Sequence, residues 1–237
     1  MNKNKGVIYI VFGKKYIDEA ILSASSVKQY CPDLHVTFFC DEEVKSEFVD
    51  DTTIMNVKHI RPKVDYIHLS PYEETILLDS DTIANHDISD LFDILKRYDL
   101  GVAHDFARKR DNVSALIPPY KEIPYCFSEV NPGVLVFKKC KAVDDFFEIW
   151  RNYFYAYFNV WPYEQPTFRV ALWKSDLNFY ILPPEYNLRS KQCRNKARKL
   201  HHEFGDTHLK ERILHMHYDK KNMKEALAYC LENYYPH

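Results

Sequence analysis

The chain has 237 residues, of which 46% are hydrophobic and 15% aromatic, enough apolar surface for one substantial core and too little length for two comfortable domains. Its 32 basic and 34 acidic residues leave a formal charge of −2, a balance with no global field to hold a polyanion, so nucleic acid is a poor partner. The apolar run at residues 7–12 is shorter than a signal-peptide core and no run approaches a membrane span, so no membrane span and a cytoplasmic location are expected.

Residues 7–12 form a β-branched and aromatic run that reads as a buried strand ended by Gly13-Lys14-Lys15. The period then changes. Ile17, Ala20, Ile21, Ala24 and Val27 share one helical face over residues 16–30, and Cys31-Pro32-Asp33 stops that helix. A strand at 34–40 follows, and this strand, helix, strand order is the unit of a parallel α/β sheet. The pattern next predicts a polar helix at 42–49, a strand at 54–60 and a short apolar strand at 75–78 running into Asp79. Asp87 reads as the N-cap of a helix with Ile88, Leu91, Phe92 and Leu95 on its apolar face.

A strand at 100–104 ends at Asp105, and the mixed, proline-bearing stretch 106–128 reads as a long surface loop or lid. Strand character returns at 133–137, followed by helices over 143–158 and 165–173, short strands at 179–182 and 213–216, and a terminal helix at 220–234. Between the last two strands a basic stretch holds Arg189, Lys191, Arg194, Lys196, Arg198 and Lys199; a solvated loop or mobile flap is expected there. The six cysteines show no CxxC pair, which indicates buried or idle thiols rather than a zinc site or disulfide framework.

The chemistry centres on Asp79-Ser80-Asp81. Two carboxylates at i and i+2 after a buried strand point the same way only if the chain turns between them. Such a turn lies at the carboxyl edge of the sheet, where open α/β sheets bind ligands. Clustered carboxylates repel unless a cation lies between them, and hard oxygen ligands suit Mg²⁺ or Mn²⁺. Capping of the next segment is the alternative that the motif alone leaves open.

Tyr72-Glu73-Glu74-Thr75-Ile76-Leu77-Leu78-Asp79-Ser80-Asp81-Thr82-Ile83 resembles the DxD segment of GT-A glycosyltransferases, most of all the glycogenin and galactosyltransferase group (family 8-like). Four further segments match that group in the same order. They are the first strand with Tyr16 after it, Asn131-Pro132-Gly133-Val134-Leu135-Val136-Phe137, Glu164-Gln165-Pro166, and the run from His215 to Lys221. The resemblance implies an α/β fold with one Rossmann-like GT-A domain over 1–237, a mainly parallel sheet flanked by helices, a nucleotide-binding half over about 1–105 and a sugar and acceptor half over about 129–237.

It also implies roles. Asp79, Asp81 and His215 would bind Mn²⁺ or Mg²⁺, and His217 is a weaker candidate. Phe12, Tyr16, Lys63, Asp79, Ser80, Asn131, Gly133 and Lys221, with Lys220 beside it, would contact the nucleotide-sugar donor, Tyr16 through its ring near the base. Glu164, Gln165 and Asp105 would surround the transferred sugar and its hydroxyl-bearing acceptor, a carbohydrate or another alcohol. The resemblance favours a UDP-sugar donor, and the Glu164-Gln165 match favours retention of configuration.

Departures are plain as well. Gly13-Lys14-Lys15 stands where the family commonly has a polar residue that pairs with the base, Glu164 replaces an Asp, Tyr218 replaces a Gly and Asn222 stands where Pro is frequent. A sugar-1-phosphate nucleotidyltransferase would need a glycine-rich, arginine-containing phosphate loop after the first strand, and Phe12-Gly13-Lys14-Lys15 lacks one. A catalytically silent sugar- or nucleotide-binding module is the other alternative.

Overall fold

The computed structural model describes residues 4–56, 59–106, 110–189, 191–205 and 210–216. Lys220, Lys221, His217, Tyr218, Asn222, Cys230 and the expected helix at 220–234 lie outside them.

The elements alternate as the hydrophobic periods require: β1 (Lys5–Ile10), α1 (Lys14–Tyr30), β2 (His35–Cys40), β3 (Asp51–Ile54), α2 (Lys63–Tyr66), β4 (Glu74–Leu78), β5 (Thr82–Ala84), β6 (Leu100–His104), α3 (Asp111–Leu116), α4 (Pro118–Glu122), β7 (Val130–Lys138), α5 (Lys141–Tyr157), α6 (Glu164–Lys174), β8 (Phe179–Leu182), α7 (Lys191–Phe204) and β9 (Ile213–His215). A seven-stranded sheet has the order β3-β2-β1-β4-β7-β6-β8, and β5 pairs with β9 in a small second sheet. All neighbours in the large sheet are parallel except β7, which runs antiparallel to both β4 and β6. The fold is therefore α/β with a mainly parallel sheet, as the element order predicts.

Both faces of the sheet are covered, so its central strands are apolar on both sides. Val7, Tyr9, Val36, Phe38, Ile76 and Leu78 pack under α1, while Ile8, Leu77, Leu135, Phe137, Phe146, Trp150 and Phe168 fill the opposite layer beneath α5 and α6. The Trp150 and Phe168 rings meet edge-on with centroids 4.9 Å apart, a geometry that adds about 0.5–1.5 kcal/mol to the burial of each ring.

Two features of the sheet set the site. Because β7 is reversed, its first residues arrive at the edge where β4 and β6 end: Leu78 pairs with Val134, and Ala103 with Asn131. The register also shifts between Val102 and Ala103, opposite the Asn131-Pro132-Gly133 segment. Pro132 has no N–H to give a ladder, and an irregularity is where a strand tolerates it.

Several elements differ from their sequence patterns. Residues 42–49 are not helical. Val44, Phe48 and Val49 pack singly against the core, while Asp50 closes the segment onto β2, its carboxylate accepting from the Val36 N–H at 2.8 Å and its own N–H donating to Val36 O at 2.9 Å. The following strand is Asp51–Ile54 rather than 54–60. Asp87 does accept the Ser89 N–H, at 2.8 Å, but the segment after it, Ser89–Lys96, is a 3₁₀-helix. The stretch 106–128 holds the short helices α3 and α4, whose Val113 and Tyr120, with Ile117 between them, form a small core of their own with Val170. The basic stretch is helical from Lys191 on, as α7. The cysteines that are described are free thiols, with Cys31 and Cys40 buried and Cys126 exposed.

Candidate functional site

A cavity of about 880 Å³ opens at the carboxyl edge of the sheet. β4 delivers Asp79 to its floor, where the Asp79 N–H donates to Gly133 O at 2.8 Å. The chain then turns: the Thr82 N–H and Oγ1 both donate to Asp79 O, at 3.2 and 2.8 Å. This turn sends Asp79 and Asp81 to the same side, as the i, i+2 spacing requires.

β9 runs beside β5 with His215 opposite Thr82, and the Met216 N–H donates to Asp81 O at 2.7 Å. One ligand atom from each of Asp79, Asp81 and His215 lies within 4.8 Å of the others. His215 Nε2 is 3.1 Å from Asp81 Oδ1 and 4.0 Å from Asp79 Oδ2. His215 is 2% exposed, and its Nδ1 lies 2.7 Å from Asn187 Oδ1. An amide oxygen only accepts, so that contact suits a proton on Nδ1, the arrangement in which a histidine presents Nε2 to a metal.

Two neighbours fit this cluster to a cation. Lys63, 8% exposed on α2, spans from Pro132 O at 2.9 Å to Asp79 Oδ1 at 2.5 Å. It holds one oxygen of Asp79, and the other, Oδ2, faces His215. Gly133 is required by closeness: a Cβ there would lie 2.6 Å from Asp79 Oδ2, Asn131 Oδ1 and His215 Cε1. The glycine thus makes room for the acidic cluster itself, a role separate from the donor contact expected of it. Two carboxylates and one imidazole suit Mn²⁺, and the oxygens alone suit Mg²⁺.

Beyond the cluster, a chain of hydrogen bonds crosses the cavity floor. Asn131 Oδ1 accepts the Gly133 N–H at 3.0 Å, and its Nδ2 donates to Gln165 Oε1 at 3.2 Å. Gln165 Nε2 donates to Asp105 Oδ2 at 2.9 Å, and Arg189 Nη1 donates to the same oxygen at 2.7 Å. The Gln165 amide is therefore fixed in orientation at both ends. Glu164, at the start of α6, faces Arg61 with 3.2 Å between Oε2 and Nε, and the Arg61 guanidinium lies 4.9 Å from the Tyr163 ring centroid.

At the opposite end, Gly13 has φ 85° and its N–H donates to Asp41 Oδ1 at 2.9 Å. Only glycine adopts that turn without strain. It starts α1 so that Phe12 and Tyr16 line the cavity, with Tyr16 45% exposed.

The structure thus brings Phe12, Tyr16, Lys63, Asp79, Ser80, Asp81, Asn131, Glu164, Gln165 and His215 to one cavity lining, with Asp105 and Gly133 directly behind it. Lys221 lies outside the described residues. Arg61, Tyr120, Glu129, Asn187 and Arg189 escaped sequence reasoning. Composition alone places Arg189 in a solvated loop or mobile flap, yet it reaches Asp105, and Arg194 of α7 is 5% exposed and donates to Arg189 O at 3.0 Å. Glu129 lines the cavity while 2% exposed, and its Oε2 accepts from Tyr120 Oη at 2.8 Å and faces Arg169 Nε at 3.3 Å. Burial pushes its carboxyl above the usual range, with Arg169 opposing. Among the described residues no helix is long and apolar enough to cross a membrane.

No protein-family model matches the sequence, and no curated protein matches it either. Solved structures do match the fold. Galactosyltransferase LgtC in complex with donor and acceptor sugar analogues superposes with a TM-score of 0.65 at 14% identity, covering 94% of this chain and 95% of LgtC. Mouse xyloside xylosyltransferase 1 gives a TM-score of 0.58 at 11% identity over 92% of this chain and 99% of that one. The glycosyltransferase GlyE of Streptococcus pneumoniae gives 0.58 at 17% identity, covering 98% of this chain and 62% of GlyE. At these identities the likeness establishes the fold, which is that of GT-A glycosyltransferases.

Proposed function

We propose that this chain is a metal-dependent glycosyltransferase that moves a sugar from a nucleotide-diphosphate donor, a UDP-sugar by preference, to a hydroxyl of a carbohydrate or other acceptor. The observation that carries the reading is the Asp79, Asp81 and His215 cluster at the floor of a large cavity, in a fold shared with a galactosyltransferase solved in complex with donor and acceptor sugar analogues. The donor set, the oriented imidazole and the space reserved by Gly133 fit a divalent cation, Mn²⁺ or Mg²⁺. Bound there, the ion would neutralise the diphosphate and the charge growing on the leaving group.

The rest falls to the chain's own side chains. Lys63 keeps Asp79 turned toward the cluster. Tyr16 offers a half-exposed ring to a base, and Asn131 and Glu164 offer polar groups to sugar hydroxyls. Gln165, held between Asn131 and Asp105, keeps its amide beside the place where the anomeric carbon would lie.

Retention is favoured by how the carboxylates are engaged. An inverting enzyme needs a carboxylate available to take the acceptor proton. Glu164 is paired with Arg61, and Asp105 accepts from both Gln165 and Arg189. Neither is poised as a base, whereas the leaving oxygen of a retaining reaction can accept the proton itself.

Calorimetry with UDP tests the reading. Binding is expected with Mn²⁺, lost in chelator, and weakened at least about tenfold in Asp79→Ala and Asp81→Ala; unchanged affinity in chelator would refute it. Donor turnover in the presence of Mn²⁺ separates an enzyme from a silent binding module. Pyrophosphate release from a sugar phosphate and a nucleoside triphosphate would mark a nucleotidyltransferase instead.

A further inference from the structure

α1 carries a second stripe besides its apolar face. Glu19, Ser23 and Ser26 lie at i, i+4 and i+7, on one side of the helix, and all three are buried, at 7%, 0% and 0% exposure. Each one meets an alternate residue of the segment that leaves the acidic turn. Ser80 Oγ donates to Glu19 Oε2 at 3.2 Å, Ser23 Oγ and Thr82 Oγ1 are 2.9 Å apart, and the Ala84 N–H donates to Ser26 Oγ at 2.9 Å.

The middle rung points at the cluster. Thr82 Oγ1 spends its proton on Asp79 O, so its lone pairs accept from Ser23, and Ser23 in turn accepts from Tyr9 Oη at 2.8 Å. Donation therefore runs one way, from Tyr9 through Ser23 and Thr82 to the backbone of Asp79. Thr82 is also the cross-strand partner of His215. Both acidic residues and the imidazole hang from the segment that this stripe grips.

We propose that α1 is the positioning element of the cation-binding turn, with Ser23 and Thr82 as positioning residues that act through the Asp79 carbonyl to hold Asp79 and Asp81 at ligand spacing. The inference rests on the cation reading above and adds where the rigidity of the site comes from. Its physical basis is that a two-carboxylate turn without an ion is pushed open by like charge, and a buried, one-way hydrogen-bond chain opposes that opening in a low-dielectric setting. The same helix is capped by Gly13 and carries Tyr16 in its first turn, so it also fixes the span between the cluster and the opposite end of the cavity.

Titration of the protein with Mn²⁺ alone, by calorimetry, tests this without any substrate. Thr82→Val keeps the shape and removes the hydroxyl, and is expected to weaken Mn²⁺ about tenfold, as loss of supporting groups around a metal does. Thr82→Ser restores the hydroxyl and is expected to bind within about twofold of the wild type. Ser26→Ala breaks the rung farthest from the cluster, so it lowers the melting temperature and leaves Mn²⁺ affinity unchanged. If Thr82→Val does not fold, Ser23→Ala carries the same expectation.

Wild-type affinity in Thr82→Val or its substitute, or an equal loss in Ser26→Ala, overturns the inference and leaves the cation reading standing. A wild-type protein that binds no Mn²⁺ overturns both.

Discussion

The imidazole of His215 faces two partners at once: Nδ1 lies 2.7 Å from Asn187 Oδ1, and Nε2 lies 3.1 Å from Asp81 Oδ1. The amide of a fully buried Asn187 therefore decides which nitrogen of a distant strand end is available to a cation. Asn187→Ala removes that control. Mn²⁺ affinity is expected to fall about 10- to 100-fold, measured by calorimetry, with the far-ultraviolet circular dichroism unchanged.

Gly133→Ala probes the crowding around the cluster. The new methyl would sit 2.6 Å from Asp79 Oδ2 and His215 Cε1, and neither neighbour can retreat without breaking up the Asp79, Asp81 and His215 cluster. The variant is expected to lose about 1–3 kcal/mol of stability, the usual cost of overpacking, and to lose Mn²⁺ binding. Chemical denaturation and calorimetry measure the two effects separately.

Asp105→Ala leaves Asp79, Asp81 and His215 untouched and frees one end of the Gln165 amide, now held at 2.9 Å. A misplaced group near reacting atoms costs about a hundredfold in rate. That loss is expected in kcat, with nucleotide affinity close to wild type, and steady-state kinetics with a donor identified by thermal shift measures it.

The buried pair Glu129 and Arg169, 2% and 0% exposed at the side chain and 3.3 Å apart, gives a pH-dependent expectation. Arg169→Met strands the carboxylate, which costs about 3–5 kcal/mol at neutral pH. The sign with pH follows from linkage. Glu129 already has a folded-state pKa raised by burial, so its contribution to stability is greatest when the carboxyl is protonated and fades as pH rises through that raised value. Without Arg169 the pKa rises further. Denaturation curves should therefore show the smallest difference between variant and wild type in acid and a growing one toward neutrality.

Much of this fold follows from local chemistry. β1, α1, β2 and β4 are readable because their apolar residues repeat with one period from end to end, and the acidic turn is readable because it interrupts such a run. Residues 42–49 misled for the converse reason. Their apolar residues have helical spacing, but the Asp50 bonds to Val36 commit the backbone to the edge of the sheet. The basic stretch misled through composition: Arg189 and Arg194 look like solvated charges until Asp105, the His215 carbonyl and the Arg189 carbonyl are found around them.

The sequence by itself determined the α/β order, the acidic turn after an apolar strand, and the residue types able to meet a cation and a sugar. It could do so because strand and helix periods, and a pair of carboxylates at i, i+2, are local properties. Only the tertiary structure decided which side chains support them. Reversal of β7 brings Asn131 and Gly133 to Asp79, pairing of β9 with β5 brings His215 to Asp81, and the buried side of α1 grips Thr82. Each of these contacts spans dozens of residues along the chain, and its energy exists only once the layers have packed.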